Sequence, residues 1–166
     1  AGHHGKVVGL VYVAAFQPDK GENLAMLAGS NPAAAMSVRE TTDGKYLYLD
    51  PKAFPADFAA DLPAAEAAFA ARSQVLAAKE VFAAKVSDPA WRTKKSWSIV
   101  ASDDRAINPD LERSMARRAG SRVTEIKASH AVFASQPEKV AGVIEAAAKE
   151  GQCVLLGVEL DRRPGE

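Results

Sequence analysis

Cysteine is nearly absent from this sequence, and neither sign of charge is in excess. Cys153 is the single cysteine among 166 residues, which excludes an internal disulfide framework and favours a reducing compartment such as the cytoplasm. Lysine and arginine together number 21, and so do aspartate and glutamate. Because a balanced chain presents no net attraction for polyanions, we expect neither nucleic acid nor a membrane surface as a partner. No apolar run approaches the ~20 residues that a membrane-spanning helix needs.

Phosphate-binding and metal-binding motifs are missing as well. The sequence has no glycine-rich phosphate loop. His3 and His4 are adjacent, so their side chains point in different directions, and no cysteine or third histidine follows nearby to complete a site. We therefore predict no cofactor and no metal ion. The remaining composition, 48% apolar and 25% charged, is that of one globular domain or a large part of one.

Short strands alternate with helices in the C-terminal half of the sequence. A strand is predicted over residues 97–101 and another over residues 122–127. Between them lies a helix over residues 109–119 that Asn108 is suited to cap. A second helix is predicted over residues 137–150. This alternation predicts an α/β fold with parallel strands joined by right-handed crossovers.

The first 19 residues contain one strongly apolar segment. Residues 7–13 are β-branched and aromatic without polar alternation, which predicts a strand buried on both faces. The alternative is an edge strand with few polar residues. We assign residues 1–19 and 96–150 to the core sheet. Residues 151–166 form an extension whose pattern does not decide between a further strand and an irregular tail.

The long segment between these core regions has a different character. Residues 20–95 are rich in alanine and carry most of the prolines, which predicts a cap inserted between sheet strands. The Asp43-Gly44 pair predicts a hairpin, and alanine density predicts a helix from residue 63 to 71. Three apolar side chains at roughly helical spacing are expected to form the buried side of this segment: Phe69, Leu76 and Phe82.

Two predicted strands are each followed by a residue suited to proton transfer. Asp104 follows the strand at 97–101, and His130, 26 positions later, follows the strand at 122–127. Functional side chains of an open α/β sheet lie just past the carboxyl ends of its strands. A histidine base needs a carboxylate to orient it, so we predict Asp104 and His130 as a catalytic pair. Asp103 is the rival acid, but we expect it to accept hydrogen bonds from backbone donors in the turn.

A nucleophile for this pair is not evident in the sequence. No Gly-x-Ser-x-Gly turn occurs among the 166 residues. Ser30 lacks the second glycine and the flanking strand and helix, and we expect the Ser129 hydroxyl to hold the histidine loop. We therefore expect no independent serine-hydrolase activity, and an incomplete product that does nothing alone is one alternative.

Three segments resemble those of α/β-hydrolases, in particular the small-cap group of plant methylesterases, hydroxynitrile lyases and bacterial esterase-like relatives. Residues 8–16 resemble the strand after the nucleophile helix, residues 103–109 the acid loop, and residues 129–132 the histidine loop. The resemblance extends to about residue 150. It implies an α/β fold that forms the C-terminal part of an α/β-hydrolase sheet, mostly parallel with flanking helices, carrying a small helical and hairpin cap.

The resemblance also implies a function and the roles of two residues. Asp104 would be the triad acid and His130 the base, while the serine and both oxyanion donors would precede Ala1. The implied reaction is ester hydrolysis; a non-catalytic small-molecule-binding protein and a hydroxynitrile lyase-like enzyme are the alternatives. The oligomeric state stays open, a homo-oligomer being one option. The cap aromatics suggest an apolar pocket for a small ester-like substrate: Phe54, Phe58, Phe69, Phe82 and Trp91.

Overall fold

The computed structural model describes residues 2–34 and 37–160. Its strands are β1 (Gly9–Val13), β2 (Val38–Glu40), β3 (Tyr46–Leu49), β4 (Ala77–Ala78), β5 (Lys95–Ala101) and β6 (Arg122–Ile126). Its helices are α1 (Leu24–Ser30), α2 (Phe54–Asp57), α3 (Ala64–Arg72), α4 (Lys79–Ala83), α5 (Pro109–Arg118), α6 (Val132–Ser135) and α7 (Pro137–Leu160). A 3-10 turn spans Ala90–Arg92.

One parallel sheet forms the core, in the strand order β1-β5-β6. The central strand β5 is the most deeply buried, and Ile99 and Val100 are fully inaccessible to solvent. Helices α6 and α7 cover the sheet with Val132 and Val140, which pack against Ile99 and Ile126. The predicted α/β class with parallel strands is confirmed.

The expectation that the first strand is buried on both faces is wrong. Every residue of β1 is half-buried. Within the described part of the chain, β1 hydrogen-bonds to β5 alone, so its other edge is not covered by a strand. The edge-strand alternative therefore describes β1 correctly for these residues.

Helix α5 begins and ends as predicted, which fixes the loop before it. The Asn108 side chain accepts a hydrogen bond from Asp110 N at 2.9 Å, and Pro109 occupies the first turn, where its missing N–H costs nothing. Gly120 ends the helical segment with φ +66°, a left-handed conformation that glycine adopts without a Cβ clash. Leu111 and Met115 are buried on its inner face.

The inserted segment builds a second, antiparallel sheet from β2, β3 and β4. The turn between β2 and β3 contains Gly44 with φ +71°, as the Asp43-Gly44 pair predicts. This sheet shares no strand with the core sheet.

The prediction that Phe69, Leu76 and Phe82 form the buried side of the inserted segment is wrong for Phe69, which lies on α3, and for Leu76. Phe69 is 68% exposed and Leu76 is 47% exposed; Phe82 is half-buried. The helix packs through Ala67 and Ala71 instead. Small alanine side chains allow a close approach to Phe54 and Ala131, so the larger side chains are directed outward.

Helix α7 does not end at Gly151, contrary to the prediction. It continues to Leu160, so residues 153–158 are helical and a further strand there is wrong. Each glycine costs a helix about 1 kcal/mol, and α7 contains three of them, Gly142, Gly151 and Gly157, so Gly151 alone is not enough to end it. Residues 161–166 of the extension lie outside the described residues. None of the helices described has both the length and the apolar character needed to cross a membrane.

We expect replacement of Ile99 by alanine to destabilise the fold by about 2–5 kcal/mol, because it removes fully buried methyl groups from the central strand. Val123→Ala on β6 is the matched control, since Val123 is 47% exposed; its effect should stay within about 0.5 kcal/mol. Urea unfolding measures both. Equal losses in the two variants would contradict this placement of the core.

Candidate active site

The structure brings Asp104 and His130 together. Their loops follow the neighbouring parallel strands β5 and β6, so both leave the sheet at the same edge. His130 Nδ1 lies 2.6 Å from Asp104 Oδ2. A backbone hydrogen bond from Asp103 N to Ala128 O, 3.1 Å long, joins the two loops beside this contact.

The carboxylate of Asp104 is fully buried and surrounded by N–H donors. Its Oδ1 accepts hydrogen bonds from Ala106 N at 2.7 Å and from Ile107 N at 2.9 Å, and the side chain has no exposed surface. A carboxylate only accepts hydrogen bonds, so this contact requires a proton on Nδ1 of His130. The Nε2 lone pair of His130 is then available to take a proton, as a general base requires.

Asp103 differs from Asp104 in burial and in bonding. Asp103 is exposed, whereas Asp104 is buried. The expectation that Asp103 accepts the hydrogen bonds of the turn is wrong, because Asp104 accepts them. One side chain therefore both organises the acid loop and contacts the histidine.

The inserted segment contacts His130 directly. The Phe58 ring, at the end of α2, lies 4.5 Å from the His130 ring, centroid to centroid, with an interplanar angle of 55°. Phe54 stacks behind Phe58 at 4.8 Å and 26°. The imidazole side chain keeps 17% of its surface exposed, so it is supported on one side and still reachable.

The histidine loop is also hydrogen-bonded to the inserted segment. Ser129 N donates to Asp61 Oδ2 at 3.1 Å, and Ser129 Oγ donates to Asp61 Oδ1. Ala131 N donates to Phe58 O at 2.9 Å. The Ser129 hydroxyl thus holds the loop, as expected. The role of Asp61 could not be predicted from the sequence, because its partner Ser129 is 68 positions away and no local pattern indicates the contact.

A second buried carboxyl adjoins Asp104 and was also missed. Glu112, on the inner side of α5, is 2% exposed. Neither carboxyl oxygen of Glu112 makes a hydrogen bond of standard geometry. Asp104 and the backbone of Ala101 are nevertheless close enough to shift the pKa of Glu112. Burial first, and then the negative charge of Asp104, raise the pKa of Glu112 to about 9. Glu112 is therefore protonated at neutral pH.

The other sequence candidates lie apart from this pair. Ser30 closes α1 and donates its hydroxyl to Leu27 O, and His3 contacts Asp88. Two clefts, of about 720 Å³ between β6 and α7 and about 240 Å³ between α1 and α5, have neither Asp104 nor His130 in their walls. Among the described residues, no group of three metal-ligating side chains occurs.

We expect Glu112 to make the stability of the chain fall as pH rises from about 5 to about 9. In this range the unfolded chain has released the proton, whose ordinary pKa is 4.5, while the folded chain still holds it. One such proton gives a slope of up to about 1.4 kcal/mol per pH unit.

Glu112→Gln removes this slope, so the stability of this variant relative to the original chain should increase with pH in urea unfolding. Glu66→Gln, at an exposed position of α3, is the control; parallel pH curves for Glu112→Gln and the original chain would contradict the assignment.

Comparisons with known proteins agree on one fold. The chain superposes on a pyrethroid hydrolase from Sphingobium faniae JZ-2 with a TM-score of 0.68, at 20% identity, covering 89% of this chain and 63% of that one. Polyneuridine aldehyde esterase gives a TM-score of 0.68 at 17% identity, covering 86% and 63% of the two chains. Tomato methylketone synthase I in complex with 2-tridecanone gives 0.68 at 16% identity, covering 86% and 62%.

The chain therefore spans less than two thirds of the length of these structures. Comparison with curated protein sequences gives no match. The family model described as the alpha/beta hydrolase family matches residues 1–143, which include both sheets and both loops of the Asp104–His130 pair. The chain belongs to the α/β-hydrolase family.

Proposed function

We propose that this chain is part of an ester hydrolase in which Asp104 orients His130 and His130 activates a serine that lies outside the 166 residues. The observation that carries the proposal is the 2.6 Å contact between Asp104 Oδ2 and His130 Nδ1. A buried carboxylate, itself held by two amide donors, leaves Nε2 of His130 as the free acceptor.

In the proposed reaction, the serine oxygen attacks the ester carbonyl while His130 Nε2 takes the proton of the serine hydroxyl. Asp104 stabilises the resulting imidazolium without accepting the proton itself. The ester bond then breaks, and the imidazolium donates that proton to the leaving alkoxide. The acyl group stays bonded to the serine. A water molecule, deprotonated by the same Nε2, releases the acid and regenerates the serine.

The proposed domain organisation follows the two sheets. Residues 1–19 and 96–150 form the core portion and carry the acid and histidine loops, while residues 20–95 form the cap. Support comes from the separate antiparallel sheet of the inserted segment and from the contact between Phe58 of that segment and His130.

A small, mainly apolar ester or related carbonyl compound is the proposed substrate class. The Phe54–Phe58 stack gives an apolar surface beside the imidazole. Two of the similar structures are named as a hydrolase and an esterase, and a third holds the ketone 2-tridecanone. Phe69 does not support such a pocket, because it is 68% exposed. The Trp91 side chain does not support it either, because its Nε1 donates a hydrogen bond to Pro18 O, away from His130 in the sequence.

A non-catalytic binding protein is the second candidate. It is favoured by the Phe54–Phe58 stack beside His130, an apolar surface that would hold a small molecule without any nucleophile. A hydroxynitrile lyase-like activity would use the same base and the same cap, and the substrate test separates it from ester hydrolysis.

Labelling with a fluorophosphonate distinguishes these functions. We expect the 166-residue chain to remain unlabelled and to hydrolyse p-nitrophenyl acetate no faster than its His130→Ala variant, because no activated serine is present. We expect the coding sequence before Ala1 to encode a Gly-x-Ser-x-Gly turn after an apolar strand. The longer polypeptide should then label at that serine and hydrolyse the ester, and His130→Ala should abolish both reactions.

Stoichiometric labelling of the 166-residue chain would show that the nucleophile lies within it and would contradict this part of the proposal. A longer polypeptide that carries the serine, binds esters and still does not label would favour the binding protein. Cleavage of a cyanohydrin without ester hydrolysis would favour the lyase.

A further inference from the structure

We propose that Asp61 is a positioning residue for His130, through which the cap holds the imidazole in line with Asp104. The inference rests on the proposed role of His130 as the base. It concerns a residue that lies in the cap and has no part in the acid loop or the histidine loop.

The cap is bonded to the chain immediately before and immediately after His130. On one side Asp61 accepts hydrogen bonds from Ser129 N, at 3.1 Å, and from Ser129 Oγ. On the other side Phe58 O accepts a hydrogen bond from Ala131 N at 2.9 Å. A residue whose two neighbours are both held has little freedom to rotate its backbone, so these bonds restrict where the imidazole can point.

The charge of Asp61 strengthens its contact with Ser129. Burial opposes ionisation of Asp61, but the hydrogen bonds from Ser129, together with the nearby Ser135 hydroxyl, outweigh it and lower the pKa of this carboxyl below its ordinary value. An ionised carboxylate makes stronger hydrogen bonds than a neutral acceptor. Ser129 is 3% exposed, so its hydroxyl and amide would lose their partner inside the protein if Asp61 were replaced.

The same cap segment supports the imidazole from the side. Phe58 contacts the His130 ring and also provides the carbonyl that binds Ala131. Ala131 is itself part of the apolar cluster that holds α2 and α3 together. Movement of the cap would therefore change the orientation of His130 as well as the surface over it.

The experiment follows the proton on His130 Nδ1 by NMR in the 166-residue chain. Asp61→Asn removes the charge and one acceptor while keeping the size of the side chain. Because Asp61 is exposed, this variant should fold, and the amide spectrum verifies that it does. Glu66→Gln removes the same charge from an exposed position of α3 and is the matched control. Ser129→Ala is a second variant, which removes the hydroxyl bond and keeps the amide bond.

We expect Asp61→Asn to broaden or shift upfield the Nδ1 proton resonance and to move the imidazole ¹⁵N shifts towards a mixture of tautomers. The Ser129 amide, which loses its carboxylate acceptor, should exchange about tenfold faster, the factor for one lost hydrogen bond. Ser129→Ala should give a smaller change of the same kind, and Glu66→Gln should give none.

Two results would overturn the inference. One is faster amide exchange in Asp61→Asn with an unchanged Nδ1 resonance, which would make Asp61 a purely structural tie. The other is an equal change in Glu66→Gln, which would indicate a general charge effect. Asp104→Asn separates this inference from the proposed function: if that variant keeps the Nδ1 resonance, the proposed pair itself fails. If it loses the resonance while Asp61→Asn does not, only the role of Asp61 fails.

Discussion

The arrangement of this site depends on one buried carboxylate that receives N–H donors from two directions. Asp104 Oδ1 binds two amides of its own loop, and Oδ2 faces His130 Nδ1. The first contacts fix the loop that leads into α5, and the second fixes the imidazole. Without the carboxylate, two buried amides and one ring nitrogen would lose their acceptor together, which is costly inside a protein. The fold and the proposed chemistry therefore require the same side chain.

The surroundings of Asp104 also limit the charge that this region can hold. Glu112 is buried beside it and stays protonated at neutral pH because a second negative charge there would be poorly solvated. Asp61, by contrast, lies at the surface of the inserted segment, where hydrogen bonds from Ser129 help to lower its pKa. The histidine loop is thus held by two carboxyl groups: Asp104 contacts the imidazole, and Asp61 accepts hydrogen bonds from Ser129.

Sequence alone predicted the elements whose signals are local. The contact between Asp104 and His130 was predictable because each lies shortly after a strand, and the cap by Asn108 because it precedes a proline at the start of a helix. Glu112 and Asp61 were missed because their importance comes from contacts formed only in the folded chain. The orientation of α3 was wrong for a related reason. Spacing suggests which residues share a face, but the close packing of alanines on Phe54 decided which face is buried.

The most direct test of the account compares Asp104→Asn with Asp103→Asn in the polypeptide that includes the nucleophile. The two substitutions remove the same charge from adjacent positions, of which only Asp104 is buried and contacts His130. The account predicts that Asp104→Asn lowers kcat for ester hydrolysis on the order of 10³- to 10⁴-fold with little change in KM, whereas Asp103→Asn stays close to the original enzyme. Equal kcat values for the two variants, or full activity in Asp104→Asn, would contradict it.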